Sequence, residues 1–157
     1  MTATDLQTML LGQMFDVLTV DSTLVATFGA WDGTTNPWLY PVWAKPDAPM
    51  PYICHRFELR ANDGEWVTRT GTYLVDIFSS SNKADEALAI RDRCMTLLDQ
   101  QSWDISSGGT EYVTALRLSL QTDGFVPEDT EDTWHYVLQF NCRLVRRGEI
   151  NSILTRS

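Results

Sequence analysis

Apolar and polar residues alternate most regularly near the carboxyl end of the chain. Every second residue of this segment is apolar, at Trp134, Tyr136, Leu138, Phe140, Cys142 and Leu144. Because successive side chains of a strand point to opposite faces of a sheet, this spacing predicts a strand with one buried and one polar face. A similar alternation from Tyr112 to Leu120 predicts a neighbouring strand, and the Ser-Ser-Gly-Gly stretch at 106–109 predicts the turn before it.

A β-hairpin is predicted in the middle of the chain. Residues 52–60 alternate, the Asn-Asp-Gly sequence at 62–64 supplies turn chemistry, and residues 66–79 form the returning strand. This second strand has apolar residues in both phases of the alternation. Such a pattern is typical of a central strand that is covered on both faces.

Two segments have the three-and-four spacing of amphipathic helices. The first helix is predicted over residues 5–18, where Leu11 and Phe15 lie beside the main apolar stripe. These two side chains are predicted either to be buried below a loop or to contact a neighbouring subunit. The second helix is predicted over residues 82–100.

One charged residue, Arg91, falls within the apolar arc of the second helix. An unpaired buried charge is costly, so we expect its guanidinium to extend to solvent or to pair with a carboxylate. Asp76, in the strand before this helix, is the candidate partner.

A tryptophan-rich segment lies between the first helix and the hairpin. Glycines and prolines recur too often over residues 29–51 for a long helix or a central strand, which predicts an ordered loop. Its indole side chains, Trp31, Trp38 and Trp43, offer large contact areas. They either fold back onto the core or face a partner, and the sequence leaves both interpretations open.

The predicted fold class is therefore α+β. An N-terminal helix is followed by β-β-α-β-β, and an antiparallel sheet packs against the helices. Residues 1–147 form a single domain in this interpretation, and residues 148–157 form a tail that is either flexible or an arm that contacts another subunit.

Charge and composition narrow the possible functions. The 12 Lys and Arg residues against 21 Asp and Glu give a net charge of -9, whereas affinity for nucleic acid comes mainly from an excess of cations. No run of apolar residues is long enough for a membrane span, and the first residues do not resemble a signal peptide. The three cysteines are far apart and lie in apolar segments, so we expect reduced, buried thiols and a cytoplasmic product.

Catalytic chemistry is not indicated by any motif. The two histidines, His55 and His135, lie in strands without metal-ligand spacing, and no nucleophile, phosphate-loop or dinucleotide motif is present. Cys54 lies next to His55, but adjacent residues of a strand point to opposite faces, so they cannot form a local dyad. We therefore expect no enzyme activity, no cofactor and no metal site.

The densest charge cluster lies between the last two predicted strands. It consists of Asp123, Glu128, Asp129, Glu131 and Asp132. Because the spacing does not match a calcium-binding loop, we predict a solvated hairpin loop over residues 123–133. Such a loop would repel DNA phosphates or attract a basic protein surface.

Four segments, taken in order, resemble a known family. They are AKPDAPMPYI at 44–53, TYLVDIFS at 72–79, EALAIRDRCMTLLD at 86–99 and DTWHYVLQFNCRLVRR at 132–147. Together with the N-terminal helix, they are similar to the tail terminator (tail completion) proteins of long-tailed bacteriophages and gene transfer particles. The resemblance covers most of the chain apart from the tryptophan-rich loop and the tail.

The resemblance implies a structural virion protein of the tail or neck, assembled in the host cytoplasm. Proteins of this family form a ring, usually a hexamer, that caps the tail tube, ends its polymerisation and meets the head-tail connector while DNA passes through without specific binding. We predict that two loops face the lumen or the tube: the acidic loop at 123–133, and the hairpin turn at 61–66 with Asn62, Asp63 and Glu65.

Two alternatives remain at this stage. A head completion or stopper protein of the phage neck would have a similar size and assembly. A small-molecule binding domain, from a different functional class, would use the tryptophan-rich loop as its pocket.

Overall fold

The computed structural model describes residues 3–28, 38–44, 48–60, 68–80, 84–106, 113–128 and 133–146. These residues form three helices and six strands. In chain order they are α1 (Ala3–Thr19), α2 (Ser22–Phe28), β1 (Leu39–Pro41), β2 (Tyr52–Leu59), β3 (Thr68–Ser79), α3 (Asp85–Leu98), β4 (Gln101–Ser106), β5 (Val113–Val126) and β6 (Trp134–Arg146).

The six strands form one curled, half-barrel sheet in the order β1-β2-β3-β6-β5-β4. β1 runs parallel to β2, and the other neighbouring strands are antiparallel. The predicted α+β class, with β-β-α-β-β and an antiparallel sheet, is therefore wrong. The structure is mostly β, with 51% strand and a mixed sheet, although the predicted N-terminal helix is present.

The two unpredicted strands lie at the edges of the sheet, where sequence patterns are weak. β1 has only three residues and lies within the proline-rich segment, joined to β2 by a hydrogen bond from Ile53 N to Trp38 O of 2.7 Å. In β4 only Ile105 is buried, so apolar residues do not alternate over a strand's length. An edge strand with exposed side chains lacks the periodicity that identifies a half-buried strand.

β5 is longer than the sequence indicated. It continues to Val126, which pairs with His135, and a register shift between Leu120 and Thr122 interrupts the ladder. The prediction of a loop starting at residue 123 was wrong in this respect, because Asp123 lies within the strand. A bulge changes which residues share a face, so the simple alternation stops being readable at that point.

The helices cover one face of the sheet, which we call the inner face. Leu10 and Met14 of α1 and Ile90 of α3 pack in one core with inner-face residues such as Leu138 and Phe140. All five of these side chains are fully buried. No helix among the described residues is by itself long and apolar enough to cross a membrane, and α1 and α2 reach that length only as a pair bent by 85°.

α2 is fixed at its start by a side-chain cap. Asp21 Oδ2 accepts a hydrogen bond from Leu24 N at 2.8 Å, and Asp21 also accepts two hydrogen bonds from Arg93 of α3, at 2.9 and 2.5 Å. These contacts satisfy a backbone donor at the helix start and join the two helices. The Arg93 guanidinium lowers the pKa of the Asp21 carboxyl, despite the opposing effect of burial.

Candidate interaction surface

The other face of the sheet, which we call the outer face, carries most of the polar side chains of β2, β3, β5 and β6. The alternation that turns Val75 and Ile77 inward turns Asp76 outward, and likewise turns His135 and Gln139 of β6 outward. None of the described helices packs on this face in the way that α1 and α3 pack on the inner face. The outer face is therefore the face of the sheet that the described helices leave uncovered.

A charged cluster lies at one end of the outer face. His135 Nε2 is 2.7 Å from Asp76 Oδ1, and His135 Nδ1 is 2.6 Å from Glu128 Oε1. Arg56 Nη1 donates a hydrogen bond of 3.2 Å to the other oxygen of Asp76. We call these four residues the His135 cluster. It joins β2, β3 and β6 to the segment that follows β5.

The His135 cluster favours a protonated imidazole. Burial opposes the charged form, but hydrogen bonds to Asp76 and Glu128 outweigh this effect, so the pKa of His135 is raised. The ring also stacks on Phe78, with 4.2 Å between ring centroids and 18° between planes. The contacts of His135 with two carboxylates hold Glu128, at the start of the acidic segment, against the sheet, and they are strongest when the ring is protonated.

Beside this cluster, a turn with an unfavourable backbone conformation exposes a tryptophan. Val42 has a positive φ of 64°, which is uncommon for a β-branched residue. Two backbone hydrogen bonds fix the turn: Val42 N to His55 O at 2.9 Å and Trp43 N to Pro41 O at 2.7 Å. The Trp43 side chain is 82% exposed. Strained backbone of this kind often occurs at functional sites, which makes Trp43 a candidate contact residue.

Trp43 borders a cleft of about 360 Å³ on the outer face. Tyr52 and Phe78 provide further aromatic walls, and members of the His135 cluster provide the polar part. Cys54 also lines the cleft, and burial raises the pKa of its thiol to about 11. At neutral pH this thiol is therefore protonated, which does not favour nucleophilic chemistry.

A second hollow, of about 540 Å³, lies toward the other end of the outer face. Arg60, Arg117 and Arg143 line it together with neutral polar side chains. Arg117 lies directly opposite Arg143 in the β5–β6 ladder. This arginine hollow had no counterpart in the sequence-based prediction, because the three arginines are distant in the chain and only strand pairing brings them together.

The predicted lumen- or tube-facing residues are separated by the fold. Asp123 accepts a hydrogen bond from Tyr136 Oη, and Glu128 belongs to the His135 cluster. Lying outside the described residues are Asp129, Glu131, Asp132, Asn62, Asp63 and Glu65. The two described residues lie on different sides of the sheet, because Asp123 pairs with Leu138 of the inner face, whereas Glu128 contacts His135 of the outer face.

The predicted contact residues also differ from one another. Trp38 is only 3% exposed and stacks on Phe28 at 4.1 Å, so it folds back onto the core, whereas Trp43 points to solvent. Leu11 is partly buried against the core, and Phe15 is 38% exposed. Trp31 lies outside the described residues. A contact of Leu11, Phe15 or Trp43 with another subunit stays a prediction.

The predicted pairing of Arg91 with Asp76 was wrong. Arg91 donates to Asp92 Oδ1, at 2.8 Å from Nε and 2.6 Å from Nη2, and to Tyr136 Oη at 3.2 Å. Arg91 is on a helix of the inner face, whereas Asp76 points to the outer face, so the sheet separates them. The phase of Asp76 could not exclude this pair from the sequence alone, because the strand has apolar residues in both phases of its alternation.

His55 and the remaining cysteines are core residues. His55 Nδ1 lies 2.7 Å from Tyr73 Oη, and burial lowers the pKa of His55 to about 4. Cys94 and Cys142 are buried free thiols whose pKa burial raises to about 12. Within the described ranges, no group of three or more His, Cys, Asp or Glu residues is arranged to hold a metal ion.

Comparison with known proteins gives a structural likeness. No protein-family model and no curated protein matches the chain. Among solved structures, the chain is similar to one in the structure described as the virion of a native gene transfer agent particle, with a TM-score of 0.61 and 16% sequence identity. The match covers 83% of this chain and 90% of the other. At this level of identity, the likeness establishes that the two chains share a fold.

Proposed function

We propose that this protein is a structural component of a phage-like virion, and specifically a tail terminator that forms a ring on the tail tube. The observation that carries the proposal is the fold shared with a chain of a gene transfer agent virion over 83% of this chain's length. The order of segments that resembles the tail terminator family supports the same assignment independently.

The shape of the sheet is suited to ring assembly. A ring needs two different surfaces on each subunit, because each copy contacts the next head to tail. Here β1 and β4 form the two edges of the sheet, and no further strand pairs with either edge among the described residues. The outer face adds two distinct surfaces, the Trp43 cleft at one end and the arginine hollow toward the other.

Overall charge is consistent with a ring through which DNA passes. A net charge of -9 per subunit disfavours adhesion of phosphates, since nonspecific DNA binding depends on cationic side chains. Asp123 and Glu128 are held by hydrogen bonds near the β5–β6 turn, and three further acidic residues follow in the chain. In the proposed ring this acidic end faces the lumen or the tube.

Imaging of particles that lack this protein tests the proposal. Overlong tails, or tails that are not joined to heads, are expected from loss of a terminator. Filled heads that leak DNA would instead identify a head completion or stopper protein, which is the nearest alternative. Particles of normal tail length and normal infectivity would contradict both assignments.

A substitution test addresses the acidic end without disturbing the strands. Deleting residues 124–130 would remove the paired end of β5, so the neutralising variant D129N/E131Q is preferable. It is expected to impair tube capping and lengthen tails while leaving thermal stability unchanged. The matched control D16N/D85N changes the net charge equally at exposed helical positions and is expected to give tails of normal length. Equal behaviour of the two variants would contradict a role for the acidic end.

The alternative of a small-molecule binding domain depends on the Trp43 cleft. Its aromatic walls and charged cluster are features that ligand sites share. Under the virion proposal, a W43A variant is expected to assemble poorly. A small-molecule binding domain instead requires a metabolite that raises the melting temperature of the wild type but not that of W43A. A thermal-shift screen of cell extracts fractionated by size distinguishes the two.

A further inference from the structure

The imidazole of His135 lies between two carboxylates that belong to different parts of the chain. Its Nε2 is 2.7 Å from Asp76 Oδ1, and its Nδ1 is 2.6 Å from Glu128 Oε1. An ionised carboxylate only accepts hydrogen bonds, and a neutral imidazole has a single N–H to donate. Both contacts can therefore be hydrogen bonds to ionised carboxylates only when the ring is protonated. Loss of the proton leaves one carboxylate facing the lone pair of a ring nitrogen.

The two carboxylates are not held equally. Asp76 lies in the middle of β3, which is paired on both sides, with β2 and with β6. Arg56 also donates a hydrogen bond of 3.2 Å to the second oxygen of Asp76. Glu128 lies two residues beyond Val126, the last residue of β5, and so lies outside the ladder. Loss of the ring proton is therefore expected to release Glu128 and to leave Asp76 in place.

Besides the two carboxylates, β2 places three titratable groups beside the ring. They are the guanidinium of Arg56, the thiol of Cys54 and the phenol of Tyr52, which line the same cleft as His135. Burial raises the pKa of Cys54 to about 11 and also raises the pKa of Tyr52, so both groups stay neutral near pH 7, whereas Arg56 stays charged. Compared with these groups, His135 is the one that titrates near neutral pH.

We propose that His135 is a pH-operated clasp. The protonated ring fastens the connection between β5 and β6 to the sheet, and loss of the proton opens the clasp at Glu128 while the contact with Asp76 remains. The clasp uses contacts within one subunit, so it goes beyond the proposed ring and does not depend on it.

The direction of the pH dependence follows from the surroundings of the ring. Burial lowers the pKa of His135, but the hydrogen bonds to Asp76 and Glu128 outweigh this effect, so the pKa is raised above its ordinary value of about 6.5. A raised pKa means that the clasp is closed below about pH 6.5 and opens as the pH rises through the folded value.

Opening of the clasp changes a hollow at the end of the β5–β6 hairpin. This hollow, of about 300 Å³, is lined by Glu128 together with Phe125 and Val126, whose side chains are 44% and 38% exposed. Release of Glu128 detaches a charged wall from these apolar side chains and loosens the last pairs of the ladder. On the inner face, the hydrogen bond from Tyr136 to Asp123 still holds the hairpin, so we expect local opening instead of unfolding.

Amide hydrogen exchange of the full chain, measured by NMR between pH 6 and 8.5, tests the clasp. The rates are corrected for the intrinsic pH dependence of exchange. Protection of the Phe125 and Val126 amides is expected to fall about tenfold as His135 loses its proton, because a hydrogen bond to a charged group contributes a factor of about this size. The ring signals of His135 in the same samples give the pKa at which the fall should occur.

Three variants connect the fall in protection to the proposed contact. The amide of Glu128→Gln can donate to a neutral ring or accept from a protonated one, so its protection is expected to be independent of pH. His135→Gln removes the titrating ring and is expected to be independent of pH as well. The control Asp16→Asn also removes one negative charge, at an exposed position of α1, and is expected to retain the tenfold fall.

Constant protection in the wild type while His135 titrates would overturn the inference, as would a fall of equal size in Glu128→Gln or in His135→Gln. A pKa of His135 below its ordinary value would overturn it too, because the ring would then be neutral in the folded protein. Loss of the fall in Asp16→Asn would assign the effect to overall charge instead of the clasp. Circular dichroism of each variant separates a loss of contact from a loss of fold. Tail length in particles lacking the protein is independent of these results, so the clasp and the proposed function can fail separately.

Discussion

The inner and outer faces of the sheet belong to the same strands but carry side chains that make different kinds of interaction. Along β6, Leu138 and Phe140 are fully buried against the helices. Gln139, which lies between them, and Asn141, which follows Phe140, face the arginine hollow. Burial of apolar area stabilises the inner face. The outer face instead carries polar and charged side chains that are held by hydrogen bonds, such as those of the His135 cluster. The comparison teaches that alternate residues of one strand belong to an apolar core and to a polar surface.

The two histidines of the chain report the same difference. His55 on the inner face is desolvated, and its pKa is lowered to about 4. Burial acts on His135 in the same direction, but hydrogen bonds to Asp76 and Glu128 reverse the outcome, so its pKa is raised. One face thus disfavours a charge that the other face stabilises.

The largest expected effect comes from substituting adjacent residues of β6. Phe140→Ala leaves a cavity in the core and is expected to lower the free energy of unfolding by about 3–5 kcal/mol. Asn141→Ala, on the exposed outer face, is expected to change it by less than about 0.5 kcal/mol. Chemical denaturation of both variants measures the difference. Similar losses in the two variants would show that the faces are not energetically distinct.

A pH titration of the two histidines sharpens the comparison. Because the chain has only these two, NMR resolves each ring, and His55 is expected to titrate near pH 4 and His135 above its ordinary value of about 6.5. A lowered pKa means that the unfolded chain binds the proton first. The contribution of His55 is therefore present above about pH 6.5 and is lost as the pH falls toward 4, by on the order of 3 kcal/mol. A common pKa for both rings would contradict the contrast between faces.

Alanine substitutions of two glycines compare how well the sheet and the helix layer accommodate an added methyl group. A Cβ at Gly71 would lie 2.5 Å from Glu58 O and 2.8 Å from Leu59 Cα, and backbone atoms of a paired strand cannot give way easily. Gly71→Ala is expected to destabilise the fold by about 1–3 kcal/mol. Gly12 lies within α1 with nothing within 4 Å of its Cβ position, so Gly12→Ala is expected to stabilise by up to about 1 kcal/mol. Thermal unfolding of the two variants in opposite directions is the expected result.

Elements with long, regular periodicity could be predicted from the sequence. Alternation identified β6 and most of β5, and helical spacing identified α1 and α3, which the structure has at Ala3–Thr19 and Asp85–Leu98. The class was wrong because the edge strands β1 and β4 carry no alternation and because β1 is parallel to its neighbour. Local patterns report which side chains are buried, but strand order depends on contacts between distant segments.

The grouping of residues into the candidate surfaces also depends on contacts between distant segments. The alternation of β6 indicated that His135 and Arg143 lie on its polar face, yet their partners come from β3 and β5, and no local pattern specifies that β6 lies between those strands. The sequence therefore contained the members of the His135 cluster and of the arginine hollow without indicating how they are grouped. Asp76 shows the consequence, since it was paired with Arg91 across the sheet instead of with His135 beside it.

The smallest expected effect isolates the His135 cluster. His135→Gln removes the charge but keeps a polar side chain on the outer face, and the loss of charged hydrogen bonds to Asp76 and Glu128 is expected to cost about 1 kcal/mol at pH 6. A raised folded-state pKa means that this contribution is complete below the unfolded value of about 6.5 and disappears as the pH rises through the folded value. The stability of the wild type relative to His135→Gln should therefore shrink with rising pH, in the opposite sense to the contribution of His55. A difference that grows with pH would mean that the ring is neutral in the folded protein, and the cluster would then be a network of neutral hydrogen bonds instead of a charged contact that holds the acidic segment to the sheet.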